Sequence, residues 1–405
     1  MLGPLHPPIG LYVHVPFCAS KCAYCDFASY AGREADIPRY VDTVIREIGR
    51  RGAETGHPAA DTVFLGGGTP SLLREFQVTR ILDALREAFR IAADAEITCE
   101  CNPGTLTTPF AQALKKAGVN RLSLGAQAAQ ARLLRLIGRI HDWQQVIASV
   151  EIARQAGFDN INLDLMFGLP GCGKGDRHLL CEAPGGPFRQ EVPVAFSAAS
   201  QTVSDFRETL EAAIAVSPTH LACYGLIVEE GTPLGRDMAA GKLVLPDEEV
   251  ERAMYELARQ TLAEHGFPQY EISNFAREGY ACRHNIGCWT RVPYLGFGCA
   301  AHSFFAECRT MNPTTLDSYL AGEEPKKEQI SKEEARFESL MLGLRMTRGV
   351  NDEEFARMHG MSIREAFGDK LDKPIGGGLL QWHEGVLRLT RLGMDLQNSV
   401  LADLM

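Results

Sequence analysis

The sequence predicts an α/β protein: a partial (β/α)6 barrel of the TIM type, followed by a smaller C-terminal domain of winged-helix-like order. Three observations carry this. Strand-like apolar runs alternate with helix-period runs over roughly the first 225 residues, as in a parallel sheet with crossover helices. The chemically distinctive residues fall just after those strands, where a β/α barrel builds its active-site rim. From Lys332 onward the order changes to helices and then a hairpin.

Ile9 to Val15 reads as the first strand and Pro38 to Arg51 as the first helix. Asp61 to Leu65 is the second strand, closed by the glycine run Gly66, Gly67, Gly68 before Thr69 and Pro70; Leu73 to Phe89 is helical. Glu96 to Cys101, Arg121 to Gly125, Asn160 to Met166 and His220 to Gly225 are the next four strands. They are separated by helices over Thr107 to Ala117 (stopped by Gly118), Ala129 to Leu136 with Trp143 to Ala156, and Ser204 to Val216. Asp247 to His265 is a helix and Gln269 to Asn274 a strand, and the stretch to Phe305 is rich in glycine, histidine and aromatics. Helices over Glu333 to Met346, Asp352 to His359 and Ser362 to Asp369, a hairpin over Gly378 to Leu389 and a last helix from Leu392 to Met405 complete the chain. The domain reading is therefore a barrel over 1–235 with an insertion at 172–200, a capping and connecting segment over 236–325, and a C-terminal domain over 326–405. The insertion has no period and many Gly, Pro and polar residues, and reads as a partly disordered surface loop. Cys172, His178 and Cys181 inside it read as incidental rather than as metal ligands.

At 405 residues with 45% apolar and 23% charged residues, the chain is long enough for a sizeable core. A net charge of −10 argues against general nucleic-acid or anionic-membrane binding, which relies on Lys and Arg meeting phosphates. No apolar run reaches membrane-span length, and the first residues lack the pattern of a signal peptide. A cytoplasmic location is expected, and twelve scattered cysteines suit a reducing compartment better than a secreted disulfide framework.

The strongest motif is YVHVPFCASKCAYCDF, Tyr12 to Phe27, with Cys18, Cys22 and Cys25 at CxxxCxxC spacing. Three thiolates on one loop can hold three corners of an iron–sulfur cube and leave the fourth iron open to a small chelating ligand such as S-adenosylmethionine (SAM). A zinc knuckle is the competing reading. It needs a fourth ligand, and His14, between Val13 and Val15, suits a strand position better. The GGGTP run offers backbone groups to a polar ligand or forms a plain tight turn. A phosphate loop is disfavoured because the lysine of GxxxxGK[ST] is missing. Glu100, Gln127, Arg139, His141 and Asp164 fall at or beyond successive strand ends; singly each suits a surface or capping role, and together they mark one rim.

CASKCAYC, GGGTPS, ECNPGT, RLSLGAQ, IGRIH and DLMFGLPG resemble, in order and spacing, the radical SAM proteins related to oxygen-independent coproporphyrinogen III oxidase. QYEISNFA, CRHNIGCW, YLGFGCAAHS, ESLMLGLR and LTRLGMDLQNSV resemble the HemW branch, the haem chaperones. The resemblance implies a [4Fe-4S] cluster on Cys18, Cys22 and Cys25. It also implies SAM contacts from Tyr12, Gly67 and Glu100, and a second set around SAM from Tyr24, Gly68, Thr69, Gln127, Arg139 and Asp164. Three departures stand out. Phe27 occupies a position where the oxidase pattern has a further cysteine, which favours the chaperone branch. Twenty-nine residues, 172–200, interrupt the usual GLPGQT between Gly171 and Gln201. Cys288 replaces the tyrosine of HNxxYW.

The expected function is a haem chaperone that binds haem, SAM and the cluster and passes haem to an acceptor protein. His284 and Cys288 are the candidate haem contacts, since haem iron takes His or Cys ligands. Peripheral association with membrane haem proteins, and a monomer or homodimer, are compatible with this. The alternative is the oxidase, a radical oxidative decarboxylation. A third reading is a degenerate scaffold whose insertion has abolished cofactor binding.

Overall fold

The two faces of the barrel strands carry different chemistry, and this division organises the molecule. The computed structural model describes residues 8–172 and 199–405, so the expected loop character of the insertion, and His178 and Cys181 within it, lie outside the described residues. Strands β1 (Ile9–Val15), β2 (Ala59–Gly67), β3 (Arg90–Cys101), β4 (Arg121–Gln127) and β5 (Asn160–Phe167) are followed by the short β6 (Gly171–Cys172), then β7 (His220–Gly225) and β8 (Leu243–Val244). The hairpin β9 (Gln269–Glu271) and β10 (Asn274–Ala276) precedes β11 (Tyr294–Phe297), β12 (His302–Phe305), β13 (Cys308–Met311) and β14 (Lys326–Gln329). Twelve of these form one open sheet in the order β14-β13-β12-β11-β1-β2-β3-β4-β5-β7-β10-β9, parallel from β11 to β7.

Helices α1 (Ile37–Thr55), α2 (Glu75–Ala88), α3 (Thr108–Lys116), α4 (Ala131–Leu136), α5 (Trp143–Gln155) and α6 (Val203–Ala215) are the crossovers. Their ends are written locally. Gly56 takes a left-handed φ of 74° to end α1, Thr107 caps α3, and Asp142 with Gln145 and Thr202 with Asp205 form capping boxes on α5 and α6. Outward strand residues such as Leu11, Val63, Leu122, Leu163 and Leu221 are fully buried with Val44, Ile81, Phe110 and Leu210 in one core. Each such side chain contributes about 1.5–3 kcal/mol of burial.

The six expected strands are present, with shifted ends. The second includes Gly66 and Gly67, the third begins at Arg90, and the fourth continues to Gln127. The single strand expected over Gln269 to Asn274 is instead the β9-β10 hairpin, turned at Ile272 and Ser273. β11, inside the glycine-rich stretch, is an unforeseen seventh parallel strand beside β1. The last helix is broken at Leu396.

α7 (Pro233–Ala239) and α8 (Glu248–Glu264) follow β7, and α9 (Arg283–Trp289) lies between β10 and β11. α10 (Leu316–Ala321) packs back on α1 through a buried carboxylate: Glu47 accepts from Tyr319 OH at 2.7 Å, Asn312 Nδ2 at 2.8 Å and the Gly298 amide at 2.9 Å. The expected boundary at 326 falls on the first residue of β14, the last strand of the large sheet. Beyond it, α11 (Lys332–Gly343), α12 (Asp352–His359) and α13 (Ile363–Phe367) lead to a strand hairpin over Leu380–His383 and Val386–Leu389, with a separate core of Leu340, Phe355, Ile363, Leu387 and Val400. Among the described residues no helix is long and apolar enough to cross a membrane.

Glu47→Ala would strand three buried donors, each costing about 1–3 kcal/mol when unpaired. We expect it to lower unfolding stability by roughly 3 kcal/mol or more in equilibrium denaturation; a loss below about 1 kcal/mol would remove Glu47 as the tie between α1 and the 298–319 segment.

Candidate functional site

Because the strands are parallel, their C-terminal ends meet at one mouth, and the cysteine loop leaves β1 there. The loop is fixed by its backbone: Cys18 N donates to Tyr30 O at 3.0 Å, Ala23 N to Ile137 O at the end of α4 at 3.0 Å, and Ala23 O accepts from Leu234 N of α7 at 2.9 Å. Each thiol has its own polar neighbour. Thr69 Oγ1 lies 3.6 Å from Cys18 Sγ, Arg139 Nη1 lies 3.5 Å from Cys22 Sγ, and Ser29 Oγ lies 3.9 Å from Cys25 Sγ. Burial raises the thiols of Cys18 and Cys25. Among the described residues no three His, Cys, Asp or Glu side chains converge as ligands of one metal ion; a cube instead takes each thiolate on a different iron. His14 is not free to be a fourth ligand, because Nδ1 pairs with Tyr12 OH at 2.9 Å and Nε2 with Ala28 O at 2.9 Å.

The glycines after β2 are needed by the protein itself. A Cβ on Gly66 would stand 2.8 Å from Glu100 Oε2, one on Gly67 2.4 Å from the His14 ring, and one on Gly68 2.7 Å from Phe17 O. Gly67 also has φ of 108°, which side chains rarely adopt. The run therefore lets the β2 end close over the cysteine loop, and its amide at Gly67 donates to Glu100 Oε2 at 3.0 Å. Pro70 opens a single 3-10 turn, Pro70–Leu72, not a helix aimed at the mouth.

Around this sit the other rim residues. Arg139, half-buried at the mouth, donates through Nη2 to Asn102 Oδ1 at 2.8 Å and Gly125 O at 2.5 Å. Asn102 Nδ2 in turn donates to Thr69 Oγ1 at 2.8 Å. Gln127 has φ of 65° at a break in the β4-β5 register and accepts from Tyr224 OH at 3.1 Å; such backbone strain clusters at ligand sites. Tyr24 packs in an apolar cluster with Leu134, Leu226 and Leu234. Tyr12 stacks on Phe64 at 6.2 Å. His141 Nε2 donates to Ala126 O at 3.1 Å, and burial with the Arg139 charge pushes the imidazole down to about 4. Asp164 accepts from Asn162 Nδ2 at 2.7 Å and Ser123 Oγ at 3.3 Å. Burial, then the Asp164 charge, pushes the Glu100 carboxyl up to about 8 against the Gly67 amide and Arg121; burial likewise raises Asp164. The two flanks of the insertion are tied together, since Gln201 N donates to Leu169 O at 2.9 Å and Gln201 Oε1 accepts from Leu169 N at 3.1 Å.

His284 and Cys288 lie elsewhere. α9 closes the opposite, N-terminal end of the barrel, held by Glu96, which accepts from His284 N and Arg283 N, both at 3.0 Å. His284 Nδ1 is 3.0 Å from Thr62 Oγ1 and its ring stacks on Phe64 at 5.0 Å. α9 is thus the floor of the barrel. His284 and Cys288, one helical turn apart, line the same pocket, but it measures about 230 Å³, below the roughly 300–1,000 Å³ of small-molecule sites. Burial pushes His284 down to about 4 and the Cys288 thiol up to about 11.

Three thiols on one loop beside an arginine, a glycine turn and a carboxylate at successive strand ends are a donor set that suits a cluster and a polar cofactor. A family model described as the Radical SAM superfamily matches residues 12–182, and one described as the HemN C-terminal domain matches 330–396. The heme chaperone HemW of Bacillus subtilis (strain 168) is 36% identical over 396 residues, 96% of this chain and 97% of its own length. The chain belongs to the HemW family. The heme chaperone HemW of Escherichia coli (strain K12) is 32% identical over 403 residues, 98% of this chain and 97% of its own. Coproporphyrinogen III oxidase HemN from Escherichia coli, a radical SAM enzyme, shares the fold with a TM-score of 0.80 at 22% identity, over 98% of this chain and 90% of its own.

Sequence reasoning missed Arg121, Thr98, Ser123, Asn162, His220 and Tyr270, which line the lumen below the mouth. Asn162 Oδ1 pairs with His220 Nδ1 at 2.6 Å, and His220 Nε2 with Tyr270 OH at 2.9 Å. The signal was available as polar residues at period two in strands otherwise apolar, such as Glu96-Thr98-Glu100 and Arg121-Ser123.

The Glu100 carboxyl holds its proton more tightly folded, at about 8, than at its ordinary 4.5. Its stabilising share is complete below the ordinary value and is lost as pH rises through about 8. In the cofactor-free chain we expect the melting temperature to fall across that window and the slope to flatten in Glu100→Gln; an unchanged slope would assign the pH dependence to other groups.

Proposed function

We propose that the chain is a haem chaperone on a radical SAM scaffold, binding haem and passing it to an acceptor protein. The observation that carries this is its full-length kinship with proteins named heme chaperone HemW. A [4Fe-4S] cluster would be held by Cys18, Cys22 and Cys25. SAM would lie over Tyr12, Gly67 and Glu100, with Tyr24, Gly68, Thr69, Gln127, Arg139 and Asp164 around it. The cluster, when bound, supplies an electron and an open iron for the amino and carboxylate groups of SAM. The protein's own part is positional. Gly67 brings an amide to Glu100, Arg139 places a positive charge beside the Cys22 thiolate, and Gln127 is fixed by Tyr224. Phe27, 59% exposed beside the triad, offers no further thiolate, which supports the chaperone over the oxidase.

Haem contact by His284 and Cys288 requires α9 to leave Thr62 and Glu96, because the pocket as it stands is too small for the macrocycle. Opening would present both side chains together from one helix face. The free energy of opening then weakens the apparent haem affinity.

Anaerobic reconstitution should load one [4Fe-4S] cluster per chain, and Cys18→Ala, Cys22→Ala or Cys25→Ala should abolish the visible absorption and reduced-cluster EPR signal. Full iron in all three variants would end this assignment. In parallel, haem should bind near one per chain, with no decarboxylated product from coproporphyrinogen III in the presence of SAM and reductant; turnover of that substrate would move the function to the oxidase.

A second experiment addresses the floor. His284→Ala should weaken haem binding, whereas Thr62→Val, which releases His284 Nδ1 at a cost of about 1 kcal/mol to the closed form, should tighten it by roughly fivefold. Haem affinity indifferent to both substitutions would place the haem away from α9.

A further inference from the structure

Arg121 is the largest fully buried side chain among the described residues, 2% exposed at the start of β4. Its Nε is buried without a hydrogen-bond partner, and its guanidinium makes no direct ion pair among the described residues. Directly opposite in register on β3 stands Thr98, whose Oγ1 is also buried and unpartnered. A buried charge without compensation is strongly unfavourable, so the compensation must come from the surroundings.

By strand parity Arg121 faces the lumen, as do Glu96 and Glu100 on β3 and Asp164 on β5. Glu96 lies toward the floor, and Glu100 and Asp164 lie toward the mouth. Of the other titratable groups facing this space, His220 on β7 and His284 on α9 are both kept uncharged by burial, with the Arg121 charge acting in the same sense, and the Cys282 thiol at the start of α9, which donates to Glu96 Oε1 at 3.3 Å, is pushed up to about 12 by burial. Tyr12 on β1 and Tyr270 on β9 present phenols whose ionisation burial opposes. Arg139 is committed at the mouth to Cys22, Asn102 and Gly125. Arg121 is thus the inner cation facing three carboxylates, and as a guanidinium it keeps its charge at every relevant pH. At low local dielectric its field reaches them without contact.

We propose that Arg121 is the shared counter-ion of the lumen, a positioning residue whose charge holds Glu100 and Asp164 close enough to ionisation for a cationic ligand at the mouth to complete the release of their protons. This rests on taking the mouth as a SAM site, since SAM bears a sulfonium. The position suits the role. Arg121 sits one pleat below Ser123, which already donates to Asp164, so its guanidinium adds charge without displacing the hydrogen bonds that orient the carboxylates. Both carboxyls are pulled down by Arg121 against their burial.

The test uses the full chain and two readouts. First, the carboxyl C=O infrared band of the cofactor-free protein is titrated, with Glu100→Gln and Asp164→Asn identifying its components. Arg121→Met and Arg121→Gln should move the Glu100 midpoint upward by about one pH unit, the lower end of what a nearby charge does, while Arg121→Lys keeps it. Second, SAM-induced perturbation of the reduced-cluster EPR in reconstituted protein should require about tenfold more SAM at pH 7 in the two neutral variants, and not in Arg121→Lys. A wild-type midpoint in a folded neutral variant would overturn the proposal. If both neutral variants fail to fold while Arg121→Lys folds with the wild-type midpoint, the requirement for charge stands. Absence of SAM binding to reconstituted wild type would instead refute the SAM reading of the mouth, and the infrared titration would still decide the role of Arg121.

Discussion

Side chains on a β-strand alternate between faces, and in this molecule that alternation separates a dry exterior from a polar lumen. Leu122 and Leu124 face the helices while Arg121, Ser123 and Gly125 face inward on the same strand. A slip of one residue in register would put Arg121 into the helix layer and leucine into the lumen. Register therefore fixes both the stability of the sheet and the chemistry it encloses. The hydrophobic layer holds the strands closely enough that Glu100 can reach the Gly67 amide and Asp164 can reach both Asn162 and Ser123.

The parts of this that could be read from the chain are the local ones. Cys18, Cys22 and Cys25 declare themselves by spacing, and the six barrel strands by their alternation with helical runs. Their meaning at the rim also follows, because parallel strands send all their C-terminal turns to one mouth. What could not be read is contact between distant segments. β11 has only four residues, Tyr294–Phe297, inside a glycine-rich stretch; its strand character comes from pairing with β1, nearly three hundred residues earlier in the chain. The place of His284 depends on the same long-range pairing. Lying between β10 and β11, its helix is carried to the N-terminal end of the barrel, and no local feature of the HN pair reveals which end that is. The glycine run had a legible position but an incomplete explanation, since it makes room for His14 and Glu100 as well as for any ligand.

The floor helix is also where the C-terminal domain meets the barrel. Arg345, just beyond α11, lies 4.2 Å from the ring of Trp289 in α9 and pairs with the buried Glu271 at 3.2 Å. Arg291, directly after α9, pairs with Glu338 of α11 at 3.1 Å, and Arg309 of β13 joins the same carboxylate at 2.6 Å. These pairs are partly or wholly shielded from water, so they are less weakened by solvent than surface bridges. Any movement of α9 that enlarges the pocket at His284 must therefore disturb the seat of α11, and the C-terminal domain is mechanically part of the floor.

Mouth and floor are in turn joined through the lumen. From Asp164 the hydrogen-bonded chain passes to Asn162, His220 and Tyr270, and Tyr270 OH accepts from Cys282 N at 3.3 Å at the start of α9. Asn162 spends its amide on Asp164 and Ser123 and its carbonyl on His220, which fixes His220 with its proton on Nδ1 and leaves Nε2 to accept from Tyr270. An amide cannot hand on a proton as a carboxyl or imidazole can, so this chain is a strut and not a proton wire. A displacement of α9 would be felt at Asp164 as a change in orientation, and occupation of the mouth would be felt at the floor in the same way. Under the proposed function, with SAM at the mouth and haem at the floor, such a strut would supply a physical connection by which either ligand biases the other.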